Sequence, residues 1–259
     1  MTHRWLAAFA VLSLVPAAQA ALAECTAKSG PGTAALVELY TSEGCNSCPP
    51  ADEWLRTLPG GLGLERVVPI ALHVDYWDYI GWKDPFAKAL FSKRQREFAP
   101  INHRAFVYTP QVLLSGRDYR QWSEGSQFVR DVRALNGRPA RAELELAIRS
   151  GEAGALELAA GARVPAAKDR AGAALFVAVY ESGLVSRVSA GENRGVTLRH
   201  DYVAREWLGP IALDAEGRAE LKRAIALPAG ARASGAVAFV QNGRNGDVLQ
   251  ALALPACKG

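Results

Sequence analysis

Cys45 and Cys48 stand three positions apart in the segment TSEGCNSCPPAD, residues 41–52. A C-x-x-C at the start of a helix has a defined chemical use. The helix dipole and the free amides of the first turn stabilise a thiolate on the first cysteine, and the second lies close enough to attack a mixed disulfide. In that arrangement Cys45 is the nucleophile and Cys48 the resolving thiol. The disulfide itself carries the two electrons, so no organic cofactor is needed. Two other uses compete: half of a metal site, and a structural staple. A single C-x-x-C does not fill a tetrahedral zinc site, and the chain has only four cysteines, with no second such pair. Bridging so short a loop removes little chain entropy, which counts against a staple.

His73, Asp75 and Asp78 extend the metal possibility. His73 and Asp75 alternate and so share one strand face, but Asp78 lies beyond it. The plainer expectation is that these residues anchor an aromatic loop, YWDYIGW at 76–82, by hydrogen bonds. His103 and His200 read as isolated structural histidines. Glu192, Asn193 and Arg194 read as a surface turn in preference to a polar contact with the N-terminal half.

The elements that must position the cysteines are visible in the pattern. Residues 34–40 form a short apolar run that reads as a buried strand. Ala51, Trp54, Leu55 and Leu58 recur at helical spacing, with Pro49 and Pro50 suited to the first turn. The cysteines therefore sit where a strand turns into a helix. A second strand is expected over 67–74, and a helix capped by Asp84 with Pro85 at its first position. A third strand, 107–114, enters a hairpin. Helices follow over 125–135 and 139–149. Beyond residue 150 strand-like runs dominate, at 156–158, 173–180, 184–188, 196–208, 236–241 and 248–254, with helical periodicity only around 220–225.

The chain has 259 residues, enough for one large or two ordinary domains, and a net charge of +4 with no basic stripe. Nucleic-acid binding is therefore not expected. Residues 1–23 read as a secretory leader: His3 and Arg4, an apolar run over 5–16 too short to span a bilayer comfortably, then small residues. The mature protein is expected to be periplasmic or secreted, without stable membrane insertion. In an oxidising compartment four cysteines can form two disulfides, and Cys25–Cys257 with Cys45–Cys48 is the natural pairing. Two free terminal thiols are the other reading.

With Cys45-Asn46-Ser47-Cys48 after a buried strand and Thr109-Pro110 before a hairpin strand, residues 32–149 resemble the thioredoxin superfamily. The resemblance implies a cis proline at Pro110 facing the cysteines, and backbone near Thr109 that pairs with an extended substrate segment. The chain departs from that pattern at Glu43-Gly44, where thioredoxins usually carry a tryptophan, and a nearby Glu43 carboxylate would raise a thiol pKa. Asn46 and Ser47 supply no cation. Copper chaperones on that fold also pair cysteines with a histidine, but with three residues between the cysteines rather than two.

A longer resemblance rests on ELYTSEGC (38–45) with SCPPAD (47–52), HVDYWD (73–78) with GWKDPF (81–86), and GENRG (191–195) with His200-Asp201. These blocks are similar to a family of exported bacterial proteins, domain of unknown function 1223. It implies a thioredoxin-like fold with an added β domain, and no established substrate.

The fold expected is therefore an α/β thioredoxin-like domain over 24–149, followed by an all-β, sandwich-like domain over 150–259. The function expected is thiol–disulfide exchange with protein thiols or a redox partner protein. The alternative is a copper chaperone-like metal binder, or a partner-binding module with a structural disulfide.

Overall fold

The computed structural model describes residues 24–150, 155–226, 230 and 234–257. The expected leader, 1–23, lies outside them. Along the chain run β1 (Glu24–Lys28), β2 (Ala35–Thr41), α1 (Pro49–Leu62), β3 (Val67–His73), α2 (Ala89–Ile101), β4 (Gln111–Leu114), β5 (Arg117–Asp118) and α3 (Gly125–Asn136). Then come β6 (Glu143–Ser150), β7 (Leu156–Arg163), β8 (Ala173–Glu181), β9 (Leu184–Arg187), β10 (Thr197–His200), β11 (Val203–Ala212), β12 (Arg218–Ile225), β13 (Gly235–Asn242) and β14 (Val248–Pro255).

The strands form an eight-stranded sheet in the order β14-β13-β8-β11-β3-β2-β4-β5, a four-stranded sheet β1-β6-β7-β12, and the ribbon β10-β9. This overturns the expected thioredoxin-like α/β domain with a sandwich appended to it. β11 lies parallel to β3, with Val203 opposite Ala71, so the N-terminal strands and β8, β11, β13 and β14 share one sheet. The physical reason is burial. β3 and β8 are apolar on both faces, and such strands need neighbours on both sides and cover above and below.

That cover comes from three cores. Leu36, Tyr40, Ile70 and Leu72 pack with Phe91 and Phe98 of α2 and with Phe176 and Phe239 of the later strands. The opposite face of β2 and β3 packs on Leu55 and Leu58 of α1 and on Phe128 and Val132 of α3. Leu144, Leu146, Ile148 and Leu158 close the third core against Leu175, Val177 and Val179.

Three other expectations are corrected. Residues 139–149 are not helical: Glu143-Leu144-Glu145-Leu146 alternates outward and inward as strand β6. Residues 220–225 belong to strand β12, paired with β7. Residues 196–208 are two strands, broken at Tyr202, which has a φ of 58°.

Arg94 of α2 binds the two halves of the large sheet together. Its guanidinium donates to Glu38 Oε1 at 2.8 Å and to Gln241 Oε1 at 2.6 Å. The rings of Phe98, Trp207, Phe176 and Phe239 surround it at 4.6, 4.9, 5.2 and 5.5 Å. Glu38 is wholly buried, so losing its partner leaves an uncompensated charge. Arg94→Met is expected to destabilise by about 3–5 kcal/mol. The double variant Glu38→Leu/Arg94→Met should lose less than Arg94→Met alone. Urea unfolding of the three proteins checks the order.

Candidate functional site

Strand β2 ends at Thr41, and the chain turns through Ser42-Glu43-Gly44 into the cysteines. The Cys45 amide donates to Ser42 O at 3.1 Å, and the Cys48 amide to Cys45 O at 3.2 Å. Gly44 is closely packed: a Cβ there would meet Trp77 Cβ at 3.0 Å. Cys48 occupies the N-cap of α1, with prolines in the first turn, and its carbonyl accepts the amides of Ala51 and Asp52. Cys45 and Cys48 are joined as a disulfide, and both are 0% exposed, while Asn46 and Ser47 between them are exposed. Cys25 and Cys257 are joined as a second disulfide.

The Thr109–Pro110 bond is cis. Gln111 lies opposite Tyr40 in the β2–β4 register, so Pro110 and Thr109 sit at the same end of the sheet as the cysteine turn. Trp77 bridges the two: it packs on Gly44, and its indole N–H donates to Thr109 Oγ1 at 2.8 Å.

Beneath the turn lies a buried cluster of Glu43, Asp52, His73, Asp84 and His200. Glu43 accepts from the Trp82 indole at 2.8 Å and lies 3.0 Å from His200 Nε2. Asp84 Oδ2 lies 2.7 Å from His73 Nδ1 and accepts the Glu43 amide at 2.9 Å. The His73 and His200 rings meet edge to face at 4.9 Å, with Phe86 against both. Asp52 Oδ2 lies 3.8 Å from His200 Nδ1.

Asp84 was expected to cap a helix at Pro85. Its carboxylate does accept the Phe86 amide at 2.8 Å, but its second oxygen is drawn to His73, and α2 begins only at Ala89. His73, Asp75 and Asp78 do not converge. Asp75 accepts from Ser92, and Asp78 accepts the Asp84 amide at 3.2 Å. Among the described residues, no group of three or more His, Cys, Asp or Glu is placed to hold a metal ion. His103 lies at the end of α2, with a φ of 55°.

The sequence reading missed the reach of the C-terminal half. Asn193 donates to Glu43 O at 2.8 Å and to Cys45 O at 3.0 Å, and Glu192 accepts the Asn46 amide at 3.0 Å. The preference for a plain surface turn at 192–194 is thereby corrected. Asn193 and His200 stand in recognisable blocks, but their partners lie about 150 positions upstream, beyond the reach of any local pattern.

Electrostatics follow from burial. Burial opposes protonated His73, but Asp84 beside it, with Asp52 and Glu43, outweighs this and raises its pKa. Burial pushes Asp84 upward, but His73 and the amides of Glu43 and Phe86 outweigh it and hold its pKa low. Burial raises Asp52. The His73–Asp84 pair therefore stabilises the fold fully below the ordinary histidine pKa of about 6.5, and this is lost as pH rises through the raised value. The Asp84 contribution is lost at the other end, as pH falls through its lowered value. Asp52 binds its proton more tightly when folded, so its contribution is also lost as pH rises above the ordinary aspartate range. The urea midpoint is expected to fall between pH 6 and pH 8.5. Asp84→Asn should flatten that fall and cost about 3–5 kcal/mol at pH 6. Identical pH slopes in the two proteins would remove the pair from this role.

The fold is shared with two solved structures. A crystal structure of a protein from Agrobacterium tumefaciens matches with a TM-score of 0.64 and 24% identity, over 89% of this chain and 98% of that one. HBP35 of Porphyromonas gingivalis matches with a TM-score of 0.62 and 15% identity, over 88% of this chain and 76% of that one. At these identities the likeness speaks for the fold alone. The comparison with curated proteins returned no match. The family described as "Protein of unknown function (DUF1223)" matches residues 36–241, which hold the cysteine pair, the histidine–carboxylate cluster and the 191–195 turn, and the chain belongs to that family.

Proposed function

We propose that the protein performs thiol–disulfide exchange through Cys45 and Cys48 outside the reducing cytoplasm, with protein thiols or a redox partner protein as its counterpart. The observation that carries this reading is the disulfide closed across the turn that leads into α1, with Cys48 at the helix N-cap. There the helix dipole favours a thiolate on Cys45, without help from first-turn amides, because Pro49 and Pro50 carry no N–H and those of Ala51 and Asp52 go to Cys48 O. A substrate thiolate attacks Cys45 Sγ, the Cys45–Cys48 bond breaks, and Cys48 leaves with the electron pair and takes a proton. A second substrate thiolate attacks the substrate sulfur of the mixed disulfide and releases Cys45. The substrate is oxidised by two electrons and the cysteine pair reduced by two; the reverse order reduces a substrate disulfide. Thr109 and Pro110, at the same end of the sheet, form the edge for the substrate backbone. Paired cysteines at both sites accord with an exported protein. No helix among the described residues is long and apolar enough to cross a membrane.

Burial of both sulfurs favours a second reading, in which the disulfide only closes the turn over the polar cluster. The reduction potential separates the two. Structural disulfides have potentials below about −300 mV, and exchanging pairs lie higher. A potential above that level is expected here, together with exchange against a model protein disulfide. Cys48→Ser should trap a mixed disulfide on Cys45, and Cys45→Ser should abolish exchange. A pair below that level that exchanges with nothing would sink the proposal and leave the structural reading.

A further inference from the structure

Exchange at Cys45 needs a thiolate to approach its sulfur in line with the S–S bond, yet neither sulfur is exposed. The turn at 191–195, between β9 and β10, lies against the backbone of the cysteine segment. That ribbon pairs only with itself and stands outside both large sheets. Its closing bonds are internal: the Val188 amide donates to Val196 O at 3.0 Å, and the Gly195 amide to Val188 O at 2.8 Å. The turn therefore keeps its shape without help from the cysteines. Gly191 and Gly195, with φ of 73° and 85°, supply the left-handed corners.

What the turn gives the cysteine segment is side chain to backbone. Glu192 takes the Asn46 N–H, and Asn193 fills the carbonyls of Glu43 and Cys45. These are backbone groups flanking the reactive sulfur, where an incoming segment would form its own hydrogen bonds. At Gly191 a Cβ would meet Ile80 Cδ1 at 3.1 Å, so the turn also seats closely on the aromatic loop. His200, at the base of the ribbon, is held separately by Glu43.

We propose that the 191–195 turn is an autoinhibitory strap: Glu192 and Asn193 occupy the backbone groups beside Cys45 in the substrate's place, and exchange requires the tip to swing away. The inference rests on the exchange reading, because a strap regulates only a dithiol that reacts. The strap is held by a few hydrogen bonds and no apolar anchor of its own at Glu192 and Asn193, which suits a contact broken in each cycle.

The test is the rate at which dithiothreitol reduces Cys45–Cys48 in the full chain, followed by alkylation and mass analysis. Asn193→Ala removes two hydrogen bonds and should speed reduction by about tenfold or more. Glu192→Ala should give a smaller increase, and Glu192→Gln, which keeps an acceptor, should stay near the parent rate. Arg94→Met, which weakens the fold at Glu38 and Gln241 and not at a contact with the cysteine segment, should leave the rate unchanged. Parent-like rates in folded Asn193→Ala and Glu192→Ala would overturn the strap. Equal acceleration by Arg94→Met would also overturn it, because reduction would then proceed through general unfolding. Neither result depends on a protein substrate. Failure of the exchange reading is seen separately, as reduced protein that does not react with a model disulfide.

Discussion

A carboxylate placed wholly out of water must be compensated on every side, and Glu43 is such a group. Its side chain requires the Trp82 indole and His200; its amide requires Asp84; its carbonyl requires Asn193. Those four partners come from the aromatic loop, from β10, from the segment before α2 and from the 191–195 turn. Asp84 then holds His73 on β3. One residue adjacent to the cysteine turn thus ties together the 82–84 segment and the β9–β10 ribbon. The cysteine pair is positioned by this polar framework as much as by its helix.

Arg94 repeats the logic deeper in the molecule. Its charge is balanced by Glu38 and spread over four aromatic faces drawn from α2, β8, β11 and β13. Burial of two charges is tolerated because the geometry satisfies them, and the same geometry makes the two halves of the sheet interdependent. Between Glu43 and Arg94, polar contacts specify how the apolar layers are aligned, while those layers supply the bulk of the stabilisation.

Local signals in the sequence carried much of the secondary structure. The apolar runs at β2, β3, β8, β13 and β14 and the helical spacing of Ala51, Leu55 and Leu58 are short-range features. The misreadings have physical causes. β6 contains Glu, Leu and Ala, good helix formers, and its two-residue alternation was outweighed by them. β12, with Glu220, Leu221, Lys222 and Arg223, misled in the same way. No local pattern states that β11 will lie beside β3, because that pairing is chosen by burial of both strands and closes over more than a hundred residues. The cysteines of the candidate site were legible from their spacing. Asn193 and His200 were not, since their meaning lies in partners about 150 positions away.

The β3–β11 contact bears on portability. The Ala71 amide donates to Tyr202 O at 2.8 Å, so β11 closes the flank of a strand that would otherwise end the sheet. A segment cut after residue 149 would carry both cysteines of the pair. It would also present β3 as a bare, apolar edge, open to strand addition from another copy. It would lack the histidine that faces Glu43. The C-x-x-C of this chain is therefore not a cassette that can be lifted out by recombination or engineering, since its surroundings are written in both halves of the polypeptide.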